Sequence, residues 1–97
     1  MIRHIVFFSA KEGQDIQEIR AGLERLGTIP HSDLFEVLEN TKVDPLCDKI
    51  DLVVYAEFAD EAALAAYKAH PTYAETTRHV RPMRELRFSA DVVSKVR

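Results

Sequence analysis

The side chains of this chain suited to proton or nucleophilic chemistry near neutral pH are few: four histidines, three tyrosines and one cysteine. Three of them share one stretch, AYKAHPTY, which holds Tyr67, His70 and Tyr73. Tyr67 and His70 are spaced to share one face of a helix. Pro71 then pushes His70 out of helical backbone, so His70 stands at a corner. Such a corner either caps the next helix or forms a pocket wall to which Tyr73 also comes. His4 lies in the apolar run IRHIVFFS. A buried imidazole there needs a partner, so it either ties a helix to its strand or lines a pocket. Converging polar groups of this kind are the usual mark of a small-molecule site, and His4, Tyr67, His70 and Tyr73 are the candidate pocket residues. His31 and His79 are expected to be exposed. No HxH or HxxxH spacing occurs, which points away from a metal site. Three isolated glycines form no phosphate loop, so neither a metal nor another cofactor is expected. Cys47 sits in the loop sequence DPLCDK without a base beside it and is expected to have no function.

The elements that must position these groups follow from hydrophobic periodicity. Residues 2–9 read as a strand that is apolar on both parities, so both faces are expected to be covered. Asp15 offers a helix N-cap, with Glu18 in the capping-box place. Ile16, Ile19, Leu23 and Leu26 follow at helical spacing, and Gly27 suits a helix C′ position. Residues 32–41 alternate as a second strand, and a long turn covers 42–49. Residues 50–59 are the clearest strand. Asp60 caps a second helix that ends at Ala69, and Pro71 begins a third helical piece to Val80. Residues 84–92 form the last strand, and the tail beyond is polar. The order βαββαβ is the α+β ferredoxin-like arrangement, a four-stranded antiparallel sheet with its helices on one face, here as one domain over residues 1–97.

Parity divides the strands into two faces. Leu52, Val54, Phe58, Leu86 and Phe88 are expected under the helices, with His4, Val6, Phe8, Phe35 and Val37. The other face would carry Ile5, Phe7, Leu34, Leu38, Val53 and Tyr55, mixed with charged residues that include Arg3, Glu36, Glu57 and Arg87, and with Asp91 on the same side of the last strand. So much apolar surface predicts a second copy stacked on it, giving a homodimer that closes a barrel. The alternative is a monomer with a greasy sheet face.

The totals narrow the function further. A net charge of −3 without a basic stripe argues against nucleic acid. Arg78, Arg81, Arg84 and Arg87 form a loose group, read as a solvated face or as intersubunit pairs. No apolar run is long enough to span a membrane and the N-terminus has no signal pattern, so a cytoplasmic protein is expected. A single cysteine allows no internal disulfide.

Three segments together, MIRHIVFF, DLVVYAEFADEAALAAYKAHPTY and VRPMRE, resemble the stress-responsive dimeric α/β barrel (Dabb) family over nearly the whole chain. The resemblance implies a ferredoxin-like homodimer. It also implies kinship with olivetolic acid cyclase, a cofactor-free polyketide cyclase. Tyr67 matches the cyclase tyrosine, and His70 and Pro71 match its His-Pro. Tyr73 stands where the cyclase carries its basic histidine. A phenol titrates near pH 10 against about 6.5 for imidazole, so Tyr73 is suited to donate or bind rather than to take a proton.

Two functional readings follow, with a third behind them. The first is a pocket between sheet and helices that binds a small molecule or performs cofactor-free acid/base chemistry. The second is a noncatalytic dimer with a stabilising or regulatory role. A cofactor-free or haem-degrading monooxygenase shares the barrel but has less in its favour. A cavity of about 300 Å³ or more beside Tyr67 and His70 favours the first, and a filled core the second.

Overall fold

The computed structural model describes residues 1–96; the last residue of the polar tail lies outside them. The elements are β1 (Ile2–Ala10), α1 (Ile16–Glu24), β2 (Leu34–Glu39), β3 (Leu52–Phe58), α2 (Glu61–Ala69), α3 (Pro71–Val80) and β4 (Arg84–Val93). The strands form one antiparallel sheet in the order β2-β3-β1-β4. This is the ferredoxin-like α+β fold. No helix among the described residues is long and apolar enough to cross a membrane.

Each helix starts where a side chain can satisfy its first free N–H groups. Asp15 accepts from the Gln17 amide at 2.8 Å and Asp60 from the Ala63 amide at 2.9 Å. Gly27 is not a left-handed cap. It lies in a 3₁₀ turn, Arg25–Thr28, where a Cβ would stand 2.8 Å from the Phe35 ring. Its lack of a side chain lets that turn close onto β2. The chain between β2 and β3 holds a short 3₁₀ turn, Pro45–Cys47, capped by Asp44.

The core lies between the sheet and the helices. Val6, Leu52, Val54 and Phe58 come from the sheet, and Ile19, Leu23 and Val80 from the helices. Each such side chain contributes roughly 1.5–3 kcal/mol by leaving water.

The last strand faces opposite to the expectation. His4 pairs with Asp91, Val6 with Ser89 and Phe8 with Arg87. These polar residues of β4 therefore share the helix side with His4. Phe88 and Val92 lie on the outer face, opposite Phe7 and Arg3, and Phe88 is 59% exposed. A register shift between Phe8 and Ala10 accompanies this alignment. Ser9, buried at the shift, accepts the Leu86 amide at 3.0 Å through its hydroxyl and so satisfies the interrupted ladder.

The six apolar residues expected on the outer face are there by register. Ile5 pairs with Tyr55, Phe7 with Val53, Leu38 also with Val53, and Leu34 lies beside Glu57. Phe88 and Val92 enlarge that apolar surface.

Candidate functional site

The buried end of the site is β1, where His4 is 1% exposed. Its ring is held edge-on by Phe58 and Tyr67, at centroid distances of 6.1 and 5.9 Å. Nδ1 of His4 is hydrogen-bonded to Oδ1 of Asp91, directly across the β1–β4 ladder. Oδ2 of the same carboxylate lies 3.4 Å from the Lys68 ammonium on α2. Burial pushes the His4 pKa below its ordinary 6.5, although Asp91 pulls it upward. For Asp91, burial works in the opposite sense, and the His4 hydrogen bond and the charges of His4 and Lys68 override it. Its carboxyl is held below the ordinary 3.8. The pair at neutral pH is thus a neutral imidazole donating Nδ1–H to a carboxylate, which leaves Nε2 as the basic nitrogen.

Tyr67 is the next link. It is 1% exposed, and its ring packs edge-on against Tyr73 at 5.3 Å. Its hydroxyl finds no hydrogen-bond partner among the described residues, and neither does that of buried Thr76. Burial first, then neighbouring Tyr73, raises the Tyr67 pKa well above that of a free phenol. Tyr67 is therefore a proton donor and not a base. Tyr73 is half-buried, and its hydroxyl accepts from a guanidinium nitrogen of Arg87 at 3.4 Å.

These groups surround a small cavity of about 20 Å³ under α3. His4, Tyr67, Tyr73, Thr76, Thr77, Arg84 and Arg87 supply its polar wall, and the rest is aliphatic or aromatic. That volume holds about one water molecule. It is far below the several hundred Å³ of a preformed drug-sized site. Beside it, beyond Tyr73 and Thr77, an open groove of about 350 Å³ runs along α3 past Arg78 and Arg81.

The four sequence-derived pocket residues thus separate. His4, Tyr67 and Tyr73 meet at one cavity. His70 does not reach it. At the corner between α2 and α3 its Nδ1 accepts the Thr72 amide at 3.1 Å, which makes it the N-cap of α3. Its ring lies 6.4 Å from that of exposed His31. Asp91 and Arg87 are the site residues the sequence reading missed, because it put them on the wrong face of β4. Cys47 is exposed, and its thiol lies 3.4 Å from the Asp44 carbonyl. Among the described residues no three metal-ligating side chains gather.

The family model of the stress-responsive A/B barrel domain matches residues 2–94. A Dabb family protein with a ferredoxin-like fold from Mesorhizobium loti is 30% identical, with a TM-score of 0.80, covering 96% of this chain and 95% of its own. A dimeric ferredoxin-like protein from Thermobifida fusca is 21% identical, with a TM-score of 0.81 and coverages of 96% and 90%. The hydroxynitrile lyase of Passiflora edulis is 20% identical, with a TM-score of 0.80 and coverages of 97% and 94%. Comparison with curated proteins gives no match.

Proposed function

The chain belongs to the stress-responsive A/B barrel family, and from that premise we propose that it is a small-molecule protein using cofactor-free acid/base chemistry at His4. The observation that carries the reading is the His4–Asp91 pair set against a cavity walled by Tyr67 and Tyr73. Asp91 fixes the imidazole tautomer and stabilises the cation that forms when Nε2 takes a proton from a substrate O–H or C–H. The electron pair of the broken bond remains on the substrate as a developing oxyanion or enolate. The Tyr67 hydroxyl, kept protonated by burial, is the donor for that charge. By the resemblance to the plant cyclase, Tyr73 takes the place of the cyclase's base, and this reading assigns the basic role to His4. The fold relationship to a hydroxynitrile lyase supports only that this framework accommodates such chemistry.

The test is hydrogen–deuterium exchange and turnover, followed by NMR, over a panel of small carbonyl compounds and cyanohydrins. Turnover by the unaltered protein that disappears in a folded His4→Gln variant supports the reading. Turnover at the same rate in His4→Gln sinks it.

We also infer that the working unit is a homodimer joined through the outer sheet face. The exposed apolar groups on that face support it, as does the dimer described for the Thermobifida fusca protein. A second reading, a noncatalytic stabilising or regulatory dimer, draws support from the 20 Å³ cavity, which is too small for a substrate as it stands. A panel without any turnover or ligand-induced shift favours that reading.

A further inference from the structure

Arg84 and Arg87 enter β4 on either side of the register shift, opposite Ala10 and Phe8, and both are half-buried at the rim of the cavity. Arg78 and Arg81 line the adjoining groove. Among the described residues none of these four forms an ion pair, whereas Arg20, Arg25, Lys42 and Lys68 all do. The charged and titratable groups that act on Arg84 are Arg87, Arg81 and Tyr73, with no carboxylate among them. Four positive charges thus gather on a chain whose net charge is −3. Clustered like charges that are partly removed from water cost stability unless a counter-charge joins them. Behind them lie the hydroxyls of Tyr67 and Thr76, each without a protein partner among the described residues and each on a residue 1% exposed that lines the same cavity. A polar site whose charges are all positive therefore lies between cavity and groove.

We propose that this rim is an oxyanion-binding mouth, and that the ligand of the site is a small amphiphilic acid held by Arg84, Arg87 and the Tyr73 hydroxyl. Guanidinium forks match the oxygens of a carboxylate or a phosphate monoester. Arg87 donates to the Tyr73 oxygen, which leaves the Tyr73 O–H free to donate to the anion. Arg78 and Arg81 at the groove attract the anion from solvent. His4 and Arg87 line the same cavity, so one ligand can meet both, with its acidic head at the arginines and its reactive group toward His4. Aliphatic walls from Val6, Leu23 and Val80 suit an apolar body between them. The reactive end rests on the acid/base reading above; the acidic end is tested apart from it.

The experiment titrates the full-length protein at fixed ionic strength with hexanoate, hexyl phosphate and neutral hexanamide, by calorimetry and thermal shift. At least one anion is expected to bind saturably and raise Tm, while hexanamide does neither. Hexanoate alone identifies a carboxylate ligand, and hexyl phosphate alone a phosphate monoester. In Arg84→Gln/Arg87→Gln the Kd is expected to rise at least about tenfold, the loss of a charge-assisted hydrogen bond. That variant relieves like-charge repulsion, so its ligand-free Tm should not fall. Should it fail to fold, Arg87→Lys keeps the charge, loses the fork, and is expected to weaken the anion by about threefold or more. Equal binding of hexanamide, full anion affinity in the folded double variant or in Arg87→Lys, or no saturable binding of either anion overturns the proposal. If turnover proves independent of His4 while anion binding needs the arginines, the acid/base reading falls and the mouth stands.

Discussion

His4 carries two opposing influences, and their balance makes a prediction about pH. Burial disfavours its cation more than Asp91 favours it, so the folded pKa lies below the unfolded 6.5. Between those two values the unfolded chain binds more protons than the folded one, and stability therefore rises with pH across that window. Lowering the pH from neutral is then expected to lower Tm beginning near 6.5. Asp91, with a folded pKa held below 3.8, adds a second loss as pH falls through and below that value. Thermal melts from pH 8 to 3 check both, at about unit spacing. His4→Gln should remove the first step and leave an acid-stable plateau above the carboxylate range; a first step unchanged in that variant assigns it to another group. Cys47 makes a contrasting case. Its side chain is exposed and its loop is held by the Asn40 amide, which donates to the Cys47 carbonyl at 2.8 Å. Cys47→Ser is expected to change stability by no more than about 0.5 kcal/mol in denaturant melts. Much of this residue-level picture was legible beforehand: a histidine in an apolar strand had to have a partner. Its identity was not, because Asp91 lies 87 residues away and only the register of β4 brings the two together.

At the scale of elements, the corner between α2 and α3 is decided by one bond. The His70 imidazole accepts the Thr72 amide, the role that Ser, Asp or Asn ordinarily plays at a helix start. His70→Ala should cost about 1 kcal/mol in a denaturant melt, and His70→Asn should recover most of it. Equal losses in both would show that the cap is not what His70 provides. Gly27 makes a similar test of packing. A methyl group there meets the Phe35 ring at 2.8 Å, so Gly27→Ala should destabilise by about 1–3 kcal/mol, with part recovered in Gly27→Ala/Phe35→Leu. The helices and strands were readable because their caps, prolines and periodicities are local. The facing of β4 was not. Leu86, Phe88, Ala90 and Val92 form an apolar set, and an apolar set is ordinarily assigned to the core. Here both faces of the sheet are apolar, so alternation says that the strand has two sides without saying which is inner. The shift between Phe8 and Ala10 sets the facing, and that shift is a pairing between distant strands. Reversing β4 changes the site more than the fold: it brings Asp91 to His4 and Arg87 to Tyr73.

For the whole molecule, the same reversal strengthens the case for an assembly. With β4 in its actual register, the outer face gains Phe88 and Val92 beside Phe7, Leu34 and Leu38, all of them more than a third exposed. The patch now reaches from β2 at one edge of the sheet to β4 at the other. A continuous apolar surface across a sheet normally belongs to an interface. The position of Phe88 also allows a cleaner test than the centre of the sheet does. Val53 is half-buried within the protomer, so a charge there disturbs folding and association together. Phe88 is 59% exposed in the protomer, so Phe88→Glu should leave the protomer's own fold nearly intact, within about 0.5 kcal/mol. In a sheet-to-sheet dimer the same glutamate would lose its water without gaining a partner, which is a strong penalty. Sedimentation at micromolar concentration is therefore expected to show a dimer for the unaltered protein and a folded monomer for Phe88→Glu, with matching circular dichroism. A dimer that survives Phe88→Glu at full affinity would move the interface off this face, and a monomeric unaltered protein would remove the dimer altogether.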